Sequence, residues 1–212
     1  MTMQTSNKET YWSRFADDFE ERNLYVASKE NIEATQKALA DQAISGNVLE
    51  LGCGNGTYSK ILARTATHID ATDLSDEMVA ASRERLKSFD NISVKKEDCF
   101  CLSYPDASFD SVVMGNLLHV IPEPEKAIQE SKRVLKNGGD LFVISFTMED
   151  VSFLNKLGMI YRYLKTYGKP PKTAQALTVE KTRKLLEDAG FTVKDARLIG
   201  NTSKAIFAHA VL

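Results

Sequence analysis

The amino-acid sequence predicts an α/β fold in which helices cover a mostly parallel sheet closed by an antiparallel last strand. Two observations carry this. From Asn47 onwards, short apolar, β-prone runs alternate with longer segments of helical spacing, as strands and crossover helices do in a parallel sheet. Near the end, two β-prone runs at 192–198 and 205–212 are joined only by the turn-rich Gly200-Asn201-Thr202-Ser203. A connection that short cannot make a parallel crossover, so the last strand runs antiparallel to its neighbour.

The elements follow in order. Residues 1–46 have helical spacing and carry Tyr11, Trp12, Phe15, Phe19 and Tyr25. Strands are expected at 48–51, 69–72, 92–95, 109–114 and 140–146. Helices are expected between them: 57–65, with Ile61 and Leu62 apolar; 76–88, where Met78, Val79 and Leu86 suit a buried face; and 125–135. Each crossover should be right-handed. Residues 147–177 again stand outside the sheet, rich in apolar side chains from Phe153 to Tyr167 before Pro170-Pro171. A helix at 178–189, capped by Thr178 and stopped by Gly190, precedes the final pair of strands. The segments 1–46 and 147–177 either pack helices onto the core or cover the ligand end of the sheet.

With 212 residues, 43% hydrophobic and 26% charged, the chain suits a single domain with one core, needing neither disulfide nor structural metal. Cys53, Cys99 and Cys101 are odd in number, and Cys99-Phe100-Cys101 has neither redox nor zinc spacing. They read as reduced thiols, with no metal site. Twenty-seven basic and 29 acidic residues give a net charge of -2, which argues against a nucleic-acid partner or a general attraction to anionic membranes and leaves room for a local basic patch. The first twenty residues hold no signal-peptide-like apolar run, and no stretch approaches a membrane span. The expectation is a soluble, cytoplasmic protein, monomeric or homodimeric.

Chemistry-bearing residues gather at the strand ends. Val48-Leu49-Glu50-Leu51-Gly52-Cys53-Gly54-Asn55-Gly56 ends one strand and opens a helix, where open α/β folds bind ligands. Its glycines permit positive φ and let a ligand touch the backbone. The spacing is G-x-G-x-G, not the G-x-G-x-x-G of a dinucleotide site, and no Walker lysine follows. Asp73 ends the next strand, where a carboxylate can accept both hydrogen bonds of a ribose diol; the alternative is a helix cap, for which Ser75 and Asp76 compete. Asp98 ends the third strand and Asn116 the fourth, so four consecutive strand ends present polar groups on one edge.

That series resembles the class I S-adenosylmethionine-dependent methyltransferases, and is most similar to their small-molecule branch, which includes the ubiquinone and menaquinone biosynthesis methyltransferases. The resembling words are ELGCGNG, ATDLSDEMV, KKEDCFCLSYPDASFDSVV, NLLHVIPEPEKAIQESKRVLKNGGDLFVISF and LLEDAGF. The resemblance implies a Rossmann-like, doubly wound sheet of seven strands with helices on both faces, and S-adenosyl-L-methionine as cofactor. It further implies that Glu50, Gly52 and Gly54 shape the loop against the methionine part, Asp73 holds the ribose, and Leu74 lies beside the adenine. Asp98 and the backbone of Cys99 would read the adenine, Asn116 and Leu117 would approach the amino-acid end and the methyl group, and Tyr11 or Trp12 would close over the cofactor.

The expected activity is methyl transfer to a small-molecule acceptor, by alignment with the methyl–sulfur bond and exclusion of water. If the acceptor is a hydroxyl or thiol, His119 is the candidate general base; otherwise it is a structural residue. The Asn/Asp-Pro-Pro-aromatic motif that amino methyltransferases of nucleic-acid bases usually share is absent after Asn116. A nicotinamide oxidoreductase would also use Gly54, Gly56 and Asp73 but lacks its glycine spacing here. A non-catalytic cofactor-binding module or assembly subunit would keep the same cofactor residues.

Overall fold

The computed structural model describes residues 11–212. The first ten residues of the expected N-terminal cover lie outside the described residues. Seven strands form one sheet: β1 (Asn47–Leu51), β2 (His68–Asp73), β3 (Ile92–Lys96), β4 (Phe109–Gly115), β5 (Leu135–Thr147), β6 (Thr192–Ile199) and β7 (Lys204–Val211), in the order β3-β2-β1-β4-β5-β7-β6. β3 to β5 are parallel, and β7 inserts between β5 and β6, antiparallel to both. The order reverses between β1 and β4, which opens a crevice at their carboxyl ends.

Strand alternation sorts the core onto two faces. Val112, Met114, Leu141, Val143, Ile206 and Ala208 pack on one side with Ala127 and Ile128 of α5 (Pro124–Val134) and Leu186 of α7 (Val179–Asp188). Val113, Phe142, Ile144 and Phe207 pack on the other with Ala38 and Leu39 of α2 (Lys29–Ala40) and Leu62 of α3 (Ser59–Leu62). Side chains two apart share a face of a strand, so a sheet buried on both sides needs near-continuous apolar runs. Those runs made the strands readable.

Helix ends follow side-chain chemistry. Ser75 accepts the N–H of Met78 to start α4 (Asp76–Leu86), whose first turn carries Asp76 and Glu77 and whose last turn carries Arg83 and Arg85. These charges oppose the helix dipole at both ends. Thr178 caps α7 by accepting from Lys181. α5 begins on Pro124, tolerated at the first turn because its missing N–H has no helical partner there.

Several boundaries differ from the sequence expectation, three of them for a visible reason. The helix expected over 57–65 is α-helical only over Ser59–Leu62; three-residue turns flank it, closed by Ile61 N–H to Tyr58 O and Arg64 N–H to Ile61 O. The helix expected over 125–135 ends at Val134 because Leu135 is already extended, with ψ 140°, and pairs with Phe109. β5 therefore starts before residue 140, and hydrogen bonds between Leu212 and the Gly138-Gly139 pair hold its irregular start.

Outside the sheet lie a 3-10 helix (Ser13–Asp18), α1 (Phe19–Ala27) and α6 (Phe153–Tyr167). Phe15, Val26 and Tyr167 form a small separate core with Tyr11, Trp12, Phe19 and Tyr163 packed against it. Tyr11 Oη donates to Tyr167 O (2.6 Å), Tyr167 Oη donates to Asn23 Oδ1 (2.9 Å), and Arg22 donates to Thr166 O (2.8 Å). The N-terminal helices and α6, which follows β5 in sequence, thus clasp each other.

Candidate active site

A cavity of about 670 Å³ opens at the carboxyl ends of β1, β2 and β4, beneath this clasp. The chain leaves β1 through Gly52 (φ 70°), Gly54 (φ 54°) and Gly56 (φ 81°). Two contacts explain the first two glycines. A Cβ on Gly52 would lie 2.8 Å from Leu117 Cδ1, and one on Gly54 would lie 3.3 Å from the Phe19 ring, so the loop is close-packed between the β4 end and α1.

Glu50, although expected at this loop, is buried behind it and does not face the cavity. Its Oε2 accepts from Ser59 Oγ at 2.5 Å, and its other oxygen, also buried, has no protein partner. Burial pushes its carboxyl up to about 8, with the charge of Asp73 adding and the Ser59 bond opposing. Glu50 is therefore mostly neutral at pH 7 and underpins the loop.

Asp73 does reach the cavity wall. Its Oδ2 accepts the Gly54 N–H and its Oδ1 the Ser75 N–H, each at 2.9 Å. A carboxylate has about four acceptor positions, so these bonds leave capacity for a ligand. Burial raises its pKa, opposed by the backbone N–H groups of Ser75, Gly54 and Leu74. Leu74 stands beside it, 40% exposed, on the same wall.

Asp98 lies two residues beyond the end of β3 rather than on it, because the strand stops at Lys96. A tight turn places it: Asp98 Oδ1 accepts from Phe100 N–H (2.9 Å), and Asp98 O accepts from Cys101 N–H (2.9 Å). Cys99 also lines the cavity, its thiol pushed up to about 12 by burial first and Asp98 second, so it stays protonated.

Asn116 follows β4 with φ 58°, a left-handed geometry that asparagine tolerates. Its Oδ1 accepts the Phe146 N–H (3.1 Å), and its Nδ2 donates to Tyr58 Oη (3.3 Å), which in turn bonds Thr35 Oγ1 (3.0 Å). One amide thus ties β4, β5, the glycine loop and α2. Leu117 and His119 follow on the same wall. His119 Nδ1 is 2.8 Å from Ser145 Oγ, and burial holds its pKa down at about 4, so the ring is neutral at physiological pH. Tyr11 and Trp12 close the cavity from the N-terminal side.

Residues 49–143 match the family described as Methyltransferase domain. Over this stretch the chain is similar to the class I S-adenosylmethionine-dependent methyltransferases. Among its relatives, a demethylmenaquinone methyltransferase of Clavibacter sepedonicus is 34% identical over 123 residues, 58% of this chain and 50% of that protein. A phosphatidylethanolamine N-methyltransferase of Cereibacter sphaeroides is 33% identical over 111 residues, 51% of this chain and 54% of that protein. The chain spans about half the length of these two relatives. The fold is similar to that of a SAM-dependent methyltransferase from Thermotoga maritima, with a TM-score of 0.72 and 22% identity over 95% of this chain and 98% of that one.

The methyltransferase cavity also has walls that the motifs did not indicate. Met159, Tyr163 and Tyr167 face it from α6, and Phe19, Asn23 and Val26 from α1. The four-residue spacing in α6 and the aromatic Phe19 in the expected N-terminal cover were readable signals; Asn23 and Val26 had none, since only the clasp brings them over the loop.

Proposed function

We propose that this chain transfers the methyl group of S-adenosylmethionine to a small, partly apolar acceptor. One observation carries the reading: a single cavity joins the polar strand ends of β1 to β4 to an apolar chamber under α6. The residues fit the cofactor. Gly52 and Gly54 bring loop backbone to the cavity wall without side chains of their own, Asp73 keeps acceptor capacity for a ribose diol, and Asp98 with the Cys99 backbone lines the wall where an adenine would lie.

When bound, the cofactor supplies a methyl group made electrophilic by its sulfonium. The chain supplies position and dryness. Asn116 and Leu117 fix the β4 end against the loop, while Tyr11, Trp12, Phe19, Met159, Tyr163 and Tyr167 exclude water. For a hydroxyl or thiol acceptor, His119 takes the proton, its ring oriented through Nδ1 by Ser145. The relatives named for demethylmenaquinone and phosphatidylethanolamine agree with a small-molecule acceptor. The chain acts as one domain, with the N-terminal helices and residues 147–177 as its cover, in the cytoplasm, as a monomer or homodimer and without a nucleic-acid partner. Among the described residues no helix is long and apolar enough to cross a membrane.

Transfer of a labelled methyl group to a panel of quinol, phenol, thiol and amine acceptors tests the activity, beside calorimetry of cofactor binding. Tight cofactor binding without turnover on any acceptor would favour a binding module. Absence of cofactor binding would overturn the reading altogether.

A further inference from the structure

The inner face of α6 closes the cavity, but its outer face packs on none of the described residues. Phe153, Leu154, Leu157, Ile160, Tyr161 and Leu164 recur along one side of the helix and are between 45% and 77% exposed. Isolated exposed apolar residues are ordinary, whereas six of them contiguous on one helix face mark a binding surface.

Charge says what covers it. Residues 151–179 contain five bases, Lys156, Arg162, Lys165, Lys169 and Lys172, and no acid, in a chain of net charge -2. Among the described residues none of the five forms an ion pair with a carboxylate. Lys165 is exposed beside the stripe, and Lys169 and Lys172 follow the helix end in exposed chain. A second copy of the chain fits poorly. A two-fold contact pairs a surface with itself, so it would set these bases against one another with no carboxylate in the segment to receive them.

Arg162 is turned inwards and donates to Val26 O, which leaves the four lysines. We propose that α6 lies on an anionic lipid surface, its apolar stripe sunk among the acyl chains and its lysines among the headgroups. Both halves of the observation are then used. Apolar side chains gain burial, and long basic side chains reach the interface from the margins of the stripe. This surface does not depend on the methyl-transfer reading, since it is the face of α6 turned away from the cavity.

The test is flotation of the full chain with vesicles of phosphatidylcholine, with and without about one third phosphatidylglycerol. Binding is expected on the anionic vesicles, much weaker on neutral ones, and reduced by salt. The double variant Leu154→Asp/Leu157→Asp should lower partition about tenfold or more, and Lys165→Glu and Lys169→Glu by about fivefold or more each. These side chains are exposed, so circular dichroism and cofactor affinity should match the parent. The salt dependence of the unaltered chain gives a readout free of any variant. No binding to anionic vesicles, or binding that the leucine and lysine variants leave unchanged, would overturn the proposal. So would sedimentation showing a dimer that the stripe variants dissociate, without vesicle binding.

Discussion

The backbone N–H of Gly54 points at Oδ2 of Asp73 across 2.9 Å, so the acid ending β2 holds the loop that leaves β1. Asp73→Ala therefore removes a loop anchor and the proposed ribose acceptor together. Cofactor affinity should fall by about 1.5 to 3 kcal/mol, the range for hydrogen bonds to a charged group. Calorimetry on the folded variant checks this, and parental affinity would withdraw the ribose assignment.

Gly54→Val should abolish cofactor binding while keeping the fold. Its φ of 54° strains a branched residue, and its Cβ would press on Phe19 at 3.3 Å, on the cavity side of the loop. Circular dichroism and affinity together decide the matter: if neither changes, the loop does not touch the ligand.

Stability should fall as pH rises above about 6.5, and Glu50 should be the cause. Its folded value near 8 exceeds its ordinary 4.5, so the folded chain keeps a proton that the unfolded chain has lost, and stability drains as pH climbs through this window. His119 works in the opposite direction. Its folded value near 4 lies below its ordinary 6.5, so its contribution is lost as pH falls through that range. Between 6.5 and 8 Glu50 acts without this counterweight, for a loss of about 2 kcal/mol. Urea titrations at both pH values should show that loss in the parent and a flatter response in Glu50→Gln. An equal slope in both proteins would place the ionisation elsewhere.

His119→Phe should slow methylation of a hydroxyl or thiol acceptor by about a hundredfold or more, with cofactor affinity unchanged. Because burial keeps the ring neutral down to about pH 4, the parent's pH–rate profile should lack an inflection near 6.5 that belongs to this residue. A break at that pH which vanishes in His119→Phe would show that the imidazole titrates normally.

The clasp should tighten when cofactor and acceptor are both bound. Hydrogen exchange in 11–46 and 147–177 is expected to slow, since the two segments are joined over the crevice by a small set of polar bonds, Tyr11–Tyr167, Tyr167–Asn23, Arg22–Thr166 and Arg162–Val26, that ligands can reinforce. Exchange already slow in the free chain, and indifferent to ligands, would make both segments fixed core.

The central strands were legible because β1, β4 and β5 carry apolar runs facing helices on both sides, as Val112-Val113-Met114 does. The final antiparallel strand followed from a turn too short for anything else. Local competition was not legible: Tyr58 hydrogen-bonds Thr35 and Asn116 across the fold, and the helix around it shrinks to a single turn. Nor was the position of Glu50, since strand alternation does not say how far a loop folds back over the residue before it. Polar strand ends could be found by spacing, whereas the walls from α1 depend on contacts with Tyr167, more than a hundred residues away in sequence.

Two parts of the cavity have unequal freedom to change. The polar half is bound to sheet register: shifting Asp73 or Asn116 would disturb pairings of β2 with β1 or β4 with β5. The apolar half is hung from helices that contribute no strand and meet chiefly through a cluster of aromatic rings. Replacing Met159 or Tyr163 by a smaller residue reshapes the chamber without touching a single ladder hydrogen bond. On the proposed function, acceptor choice can drift, or be redesigned, without disturbing the sheet.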